Sequence, residues 1–364
     1  ICKMSHTKED LKELQSKSLE EKIQISTARI IEWYEHWDGK VAISFSGGKD
    51  STVLLDLVRN IYPDVPAIFC DTGLEFPEIR DFVKSITNVE ILKPKKSFVQ
   101  VLSEVGYPLG SKKASLNIEY GRKARERNDE AKFNEYCNGV RHGKDGTNYV
   151  YMPICKQLRP LIDAPVRISN KCCDIMKKKP IHEYCKRTGR KTINGTMATE
   201  SKQRELGWIK TGCNVFSIGR EVSHPMSFWT EQDVLLYIKR YHLPYASVYG
   251  DLIELQNGQL EFTGRQRTGC VFCGFGCHLE KEPNRFQALA KTHPQLYDYC
   301  MCGGKYDDSG MWIPDKGLGM AKVLDYINVK WWNDGDEARR DEYRAKYKEK
   351  EEIEQSRKKS SQTD

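Results

Sequence analysis

Apolar residues fall at Leu11, Leu14, Leu19, Ile23, Ile25, Ala28, Ile31 and Trp33, near helical spacing, so residues 8–37 are expected to form one helix with a buried face. The pattern then changes. "KVAISFS" is a short apolar run that reads as a buried strand, and "STVLLDLVRNIY" has helical periodicity. "VPAIFCDT" repeats the strand signal, "FPEIRDFVKSI" the helix signal and "VEILKP" the strand signal. The alternation returns further along, with "KPIHEYCKRTG" as helix and "KTINGTMA" as strand. "SFWTEQDVLLYIKRYH" reads as a helix capped by Thr230 and stopped before Leu243 and Pro244. Strands alternating with helices in this way predict an α/β fold: an open, mostly parallel twisted sheet with helices on both faces.

Three stretches break the alternation. Residues 112–146 are highly charged with little apolar content and read as an inserted helix and loop. Beyond residue 260 the chain is rich in Cys and Gly, which suggests a loop-built region stapled by a metal. Residues 334–364 look like a solvated helix fraying into disorder. The expected organisation is an N-terminal helical segment (1–38), an α/β domain (39–260) carrying the charged insertion, a Cys-rich region (261–333) and a charged tail.

Composition changes this picture only modestly. The 364 residues suffice for one large α/β domain with additions, or for two domains. Hydrophobic residues make up 39% and charged residues 30%, and no long apolar run exists, so no membrane contact is expected. The sequence starts without Met, which suggests a trimmed or tag-derived start; its charged beginning lacks the apolar stretch of a signal peptide, and a cytoplasmic location is expected. The net charge of +7 fits an anionic partner, nucleotide or nucleic acid, without separating the two.

The sharpest local signal is "AISFSGGKDSTVLLDL". A glycine pair between a strand and a helix lets backbone amides point at an anion at the helix N-terminus. Ser46 and Ser51 add hydroxyl donors, Lys49 a charge, and Asp50 a carboxylate suited to a magnesium-bound nucleotide. The spacing does not fit the Walker A motif. Asp71, Thr72 and Gly73 end the second strand, where ligands bind in open parallel sheets.

These strings resemble the S-G-G-x-D-S loop of the PP-loop ATP pyrophosphatase superfamily (adenine nucleotide alpha hydrolase-like), with Ser46, Gly47, Gly48, Asp50 and Ser51 matching. "FCDTGLEFPE" resembles the segment that lies by adenine and ribose in the phosphoadenosine phosphosulfate reductase family. "GTMATESKQRE" resembles that family's G-x-R-x-x-E-S-x-x-R loop at Gly195, Glu200, Ser201 and Arg204, with Met197 where an arginine is common. "HPMSFWTEQDVLLYIKRYHLPYASVYG" matches a further stretch, including Trp229, Asp233, Tyr237 and Tyr249; Trp229 and Tyr237 read equally well as helix core. The resemblance implies a nucleotide site made of Ser44, Ser46, Gly47, Gly48, Lys49, Asp50, Ser51, Asp71, Thr72, Gly73, Gly195, Glu200 and Arg204. Within it, Lys49, Asp50 and Ser51 would carry catalysis.

Thirteen cysteines without a secretory signal argue against a disulfide framework. Their clustering at Cys172–Cys173 and at Cys270, Cys273 and Cys277 reads first as metal or cluster ligation. The resemblance is to the C-C…C-x2-C set that holds a [4Fe–4S] cluster in adenylylsulfate reductases; Cys277 is an additional thiol. Zinc is the rival, because four-cysteine sets also hold zinc.

Two features steer the expected chemistry. Sulfonucleotide reductases of the family attack with a cysteine in an E-C-G-[IL]-H tail, and here no cysteine follows Cys302. The SGGKDS loop is intact, as in superfamily members that cleave ATP. The main expectation is therefore an ATP- and Mg2+-dependent enzyme that adenylates an acceptor for sulfur transfer, with an iron–sulfur cluster. Candidate partners are ATP or an adenylated nucleotide, a sulfur donor or acceptor-recognition protein, and DNA or RNA touched by Arg122, Lys123, Arg125 and Arg127; a solvated helix face is the alternative for those charges. The alternatives for the whole are a phosphoadenosine phosphosulfate/adenylylsulfate reductase or ATP sulfurylase-like enzyme of sulfate assimilation, and a non-catalytic nucleotide-binding regulator.

Overall fold

A computed structural model describes residues 6–143 and 146–360; Cys2, the tip of the charged insertion and the last residues of the tail lie outside the described residues. The chain divides into two compact units, Ile1–Lys95 with Lys177–Cys270, and Lys96–Met176 with Val271–Asp364.

The first unit is built on a six-stranded sheet. Its strands are β1 (Val41–Ser44), β2 (Ala67–Cys70), β3 (Val89–Leu92), β4 (Lys191–Asn194), β5 (Asn214–Val215) and β6 (Val222–Ser223), in the spatial order β3-β2-β1-β4-β6-β5. All neighbours run parallel except the edge pair β5–β6. Strand β1 is central, and Val41, Ala42 and Ile43 are fully buried, as expected for a parallel strand covered on both faces. Its register pairs Ile43 with Ile193 and Ser44 with Asn194, which sets the ends of β1 and β4 side by side.

Six helices cover this sheet: α1 (Leu19–His36), α2 (Lys49–Arg59), α3 (Pro77–Ser85), α4 (Lys179–Thr188), α5 (Lys202–Thr211) and α6 (Glu231–Tyr241). Tyr184, Ile181 and Cys185 of α4 pack on Ala42, Ile68 and Leu92. Helix α1 is bound to α6 by buried polar contacts. Lys22 pairs with Asp233 at 2.7 Å, and the Trp229 indole donates to Ser26 Oγ at 2.9 Å. Trp229 and Tyr237 are buried, so the core reading holds for both, and the Tyr237 hydroxyl donates to Asp56 at 2.7 Å.

The single helix expected over 8–37 is two helices, Lys8–Ser16 and α1. Ser18 breaks it by capping α1: its side chain accepts from the Glu21 amide while Glu21 reaches back to the Ser18 amide.

The second unit contains the charged segment. It forms a helix at Lys112–Glu126, a shorter one at Glu130–Phe133 and a hairpin pairing Val140–His142 with Asn148–Val150. Arg122 was a candidate nucleic-acid contact; the structure gives it a different task. Its guanidinium donates to the carbonyls of Ile162, Val166, Ala164 and Leu161, gathering a loop that has no ladder of its own. Lys123 pairs with Glu119 and Arg125 with Asp163.

The stretch beyond residue 270 is more regular than its Cys and Gly content suggests, with helices at Arg285–Thr292 and Pro294–Met301 and a hairpin of Gly303–Tyr306 and Trp312–Leu318. The tail is also not a merely solvated helix. Glu337–Ser360 is one helix whose Tyr343 is buried and donates to Asp298, while Arg344 makes a bidentate pair with Asp325 at 2.9 Å. No described helix is long and apolar enough to cross a membrane.

Arg122→Ala is expected to lower stability by about 2–4 kcal/mol, because it strands several partly buried carbonyls. Arg127→Ala, at an exposed position, should change it by less than about 0.5 kcal/mol. Chemical denaturation of the two variants checks this; equal small effects would return Arg122 to the solvated-face reading.

Candidate active site

The loop between β1 and α2 is shaped by close approach. Gly47 has a φ of 71°, and a Cβ there would meet the Ile79 and Val83 methyls of α3 at 2.8 Å. Gly48 is the N-cap of α2 and has no side chain to cap the first-turn amides. Ser46 and Ser51 tie the turn: the Ser46 amide donates to Ser51 Oγ at 3.1 Å, the two hydroxyls are 3.0 Å apart, and Ser51 Oγ donates to the Gly48 carbonyl at 2.9 Å. Ser44 ends the strand below them.

Lys49 is only 4% exposed. Its ammonium lies 3.2 Å from Asp50 Oδ1 and 3.2 Å from Glu231 Oε1 at the first turn of α6. Burial works against its charge, but Asp50 and Glu231 outweigh burial and raise its pKa. Burial pushes the Asp50 carboxyl up as well, against the opposing pull of Lys49. The partner of Asp50 Oδ1 is the Lys49 ammonium, by charge at 3.2 Å without a well-directed hydrogen bond. A carboxylate at the first turn of a phosphate-binding loop is a fitting residue to hold a magnesium ion on a nucleotide.

Tyr249 adds a contact that the sequence pattern did not assign. Its hydroxyl accepts from the Lys49 amide at 3.0 Å and bonds Thr268 Oγ1 at 2.8 Å. The phenol thus stands at the N-terminus of α2, where an anion is otherwise favoured. Neither Glu231 nor Thr268 carried a signal of its own; both are recognisable only as neighbours of Lys49 in space.

At the end of β2, Asp71 accepts from the Gly73 amide at 3.2 Å and pairs with Arg80 at 3.2 Å. Thr72 is buried and committed internally: its hydroxyl donates to Glu75 Oε1 at 2.8 Å and its amide to Glu75 Oε2 at 3.1 Å. Lys177 faces the same Glu75 at 3.5 Å. Cys70 sits beside them, its thiol pushed up to about 11 by burial and then by Glu75.

At the end of β4, Gly195 lies against α2, and a Cβ there would stand 3.0 Å from the Asp50 carbonyl oxygen. Glu200 and Arg204 form an ion pair, and Glu200 also accepts from the Met197 amide at 2.8 Å. Met197 is buried, a core residue where the resembled family often has an arginine. A further residue holds this loop: His224 Nδ1 is 2.6 Å from Thr196 Oγ1. Burial drives His224 down to about 4, with Arg204 acting in the same direction and the bond to the Asn194 backbone opposing. Thr196, Met197, Arg204 and His224 line a cavity of about 310 Å3 behind the loop.

The cysteines are less well assembled. Cys270 falls in the first unit; Cys172, Cys173, Cys273 and Cys277 fall in the second. Cys172 and Cys277 are buried, and the Cys277 thiol is pushed up to about 12 by burial, with Arg285 opposing. Among the described residues, no three His, Cys, Asp or Glu side chains form a group that could hold a metal ion. The geometry adds no support to the expected cluster or zinc set, which stays a reading of the cysteine motifs.

Neutral His224 implies a pH dependence. Its folded pKa lies below the ordinary 6.5, so the stability it carries is full above about pH 6.5 and is lost as pH falls toward about 4. Wild type is expected to lose on the order of 2–3 kcal/mol across that window through this group. His224→Gln should flatten that part of the curve; an unchanged pH profile in denaturant titrations would sink the assignment.

The pattern that defines the phosphoadenosine phosphosulfate reductase domain matches residues 40–144 and 160–274, more than half of the chain. An uncharacterised protein of Methanocaldococcus jannaschii is 25% identical over 333 residues, covering 84% of this chain and 61% of that protein. The chain thus spans less than two thirds of that relative. The adenosine 5'-phosphosulfate reductase of Staphylococcus haemolyticus is 26% identical over 226 residues, covering 60% of this chain and 70% of the reductase. A solved phosphoadenylyl-sulfate reductase of Candida auris aligns at 16% identity with a TM-score of 0.34, covering 73% of this chain and 98% of that one. With a matching domain running through the glycine loop, the Gly195 loop and the charged segment, the chain belongs to the phosphoadenosine phosphosulfate reductase family.

Proposed function

We propose that this chain is an enzyme of sulfur metabolism that binds an adenine nucleotide at the β1–α2 loop and acts at its phosphate or phosphosulfate end. The observation that carries the reading is the loop itself: a helix N-terminus whose cap residue, Gly48, has no side chain, two hydroxyls and a buried, doubly paired lysine at the carboxyl end of the central strand. The relatives named adenosine 5'-phosphosulfate reductase favour a reductase of sulfate assimilation over the adenylating enzyme that the loop first suggests. In that reading the nucleotide's phosphate sits on the loop amides, and Lys49 offsets the charge left on AMP as the S–O bond to the sulfuryl group breaks. Two electrons from a dithiol reduce the sulfuryl group to sulfite, and the dithiol becomes a disulfide.

A second reading, cleavage of ATP between its α and β phosphates, is supported by the intact SGGKDS loop with the Asp50 carboxylate at its helix start. Asp50, with Asp71 as a second carboxylate, would hold magnesium, which neutralises phosphate charge when bound. The work of the protein's own residues is the same in both: the loop binds and orients, and Lys49 stabilises the leaving group.

Two assays separate these readings. Sulfite and AMP from adenylylsulfate with a dithiol support the first; pyrophosphate from ATP, without sulfite, supports the second. Lys49→Gln should lower kcat/KM on the active substrate by roughly 10²–10³-fold. Neither product from either substrate, with the nucleotide still bound, would leave a binding protein and overturn the proposal.

We infer an iron–sulfur cluster from the cysteine spacing and its resemblance to the C-C…C-x2-C set of adenylylsulfate reductases. Chain purified without oxygen is expected to carry about four irons and four acid-labile sulfides. One zinc without sulfide would assign a structural metal instead, and no metal would retire the cysteine reading.

A further inference from the structure

On the first unit, away from the Lys49 loop, a groove of about 510 Å3 runs between α4 and the strands β4 and β6. It is lined by Lys178 and His182 of the α4 region, Arg190 and Lys191 at the start of β4, and Arg220 and Glu221 ahead of β6. Glu221 is the single carboxylate among the lining residues, and it is taken by Lys191 at 3.0 Å. Arg190 is held by main-chain carbonyls, of Val41 at 2.9 Å and of Gly39 at 3.4 Å, so its charge is positioned without being neutralised. Arg220 is exposed on the opposite wall.

The cations do not converge on one point. They come from three segments: Lys178 stands ahead of α4, Arg190 and Lys191 at the start of β4 and Arg220 ahead of β6, and the ten residues of α4 separate the first from the second, about 15 Å at helical rise. One tetrahedral anion could meet only part of such a row, whereas phosphates in series could meet all of it. The volume is that of a small-ligand pocket, which admits one strand and no duplex. Asn194 also lines the groove; it is the last residue of β4 and precedes Gly195 of the nucleotide loop. We propose that this groove binds the sugar–phosphate backbone of a single-stranded nucleic acid and leads it toward the Gly195 loop. The lining supplies charge and no Phe, Tyr or Trp platform, so binding is chiefly electrostatic and indifferent to base sequence.

The inference does not depend on which nucleotide the Lys49 loop takes. The test is fluorescence anisotropy of a short labelled oligothymidylate with the full chain, over a range of salt, with ATP added in excess to occupy the loop. Binding is expected to persist with ATP and to fall linearly in log–log against salt. The double variant Lys178→Glu/Arg220→Glu should weaken it by at least about tenfold and reduce the salt slope by about 1.4, which is 0.7 per lost cation on a single strand. The double variant Lys12→Glu/Lys186→Glu changes net charge equally at exposed positions outside the groove and should leave affinity within about twofold. Any one of three outcomes overturns the proposal: no salt-dependent binding by the wild type, equal weakening by both double variants, or displacement of the oligonucleotide by ATP.

Discussion

An ammonium buried at position 49 constrains everything around it. A buried charge costs several kcal/mol unless it is paired, and the pairing of Lys49 draws on two places. Asp50 comes from its own helix; Glu231 comes from the first turn of α6. The position of α6 then matters to the chemistry of a loop far from it in sequence. Lys22, Ser26 and Trp229 secure that position by joining α6 to α1 through buried polar contacts. A helix that precedes the sheet thus helps to hold the charge that faces the ligand.

The three loops at the carboxyl ends of β1, β2 and β4 divide their labour unevenly. Thr72, Glu75, Glu200 and Arg204 spend their polar groups on one another and give the loops their shape. Lys49 and Asp50 keep their charge at the ligand end of the sheet, and Gly48 puts no side chain over the α2 N-terminus. Two neutral groups, the Tyr249 phenol and the His224 imidazole, brace these ends without adding a formal charge. Rigid loops with a small number of unspent polar groups are what phosphate recognition needs, because the donors need no rearrangement when the anion arrives.

Much of the first unit was legible from one line of sequence. Strands of four residues and helices of about ten announced themselves by apolar runs, capping residues and Gly punctuation. The failures have physical causes. Ser18 ended a periodic run because a reciprocal cap satisfied its amides better than helix continuation. Arg122 looked like a solvated or nucleic-acid-facing charge, and only the fold brought four carbonyls to it. The tail looked solvated because its apolar content is low, yet Tyr343 and Arg344 anchor it through polar contacts that hydrophobic periodicity does not register.

The sequence by itself determined the residue types that touch phosphate, the β1–loop–α2 order that aims amides at one point, and the parallel sheet that exposes strand ends as a site. These are local properties, set by backbone sterics and short-range periodicity. Tertiary structure alone decided which charges are neutralised and which stay available. Glu231 reaches Lys49, Glu75 absorbs Thr72, and the five clustered cysteines fall in two different units. Electrostatic balance depends on distance in space, and distance in space is not written in the spacing of residues along the chain.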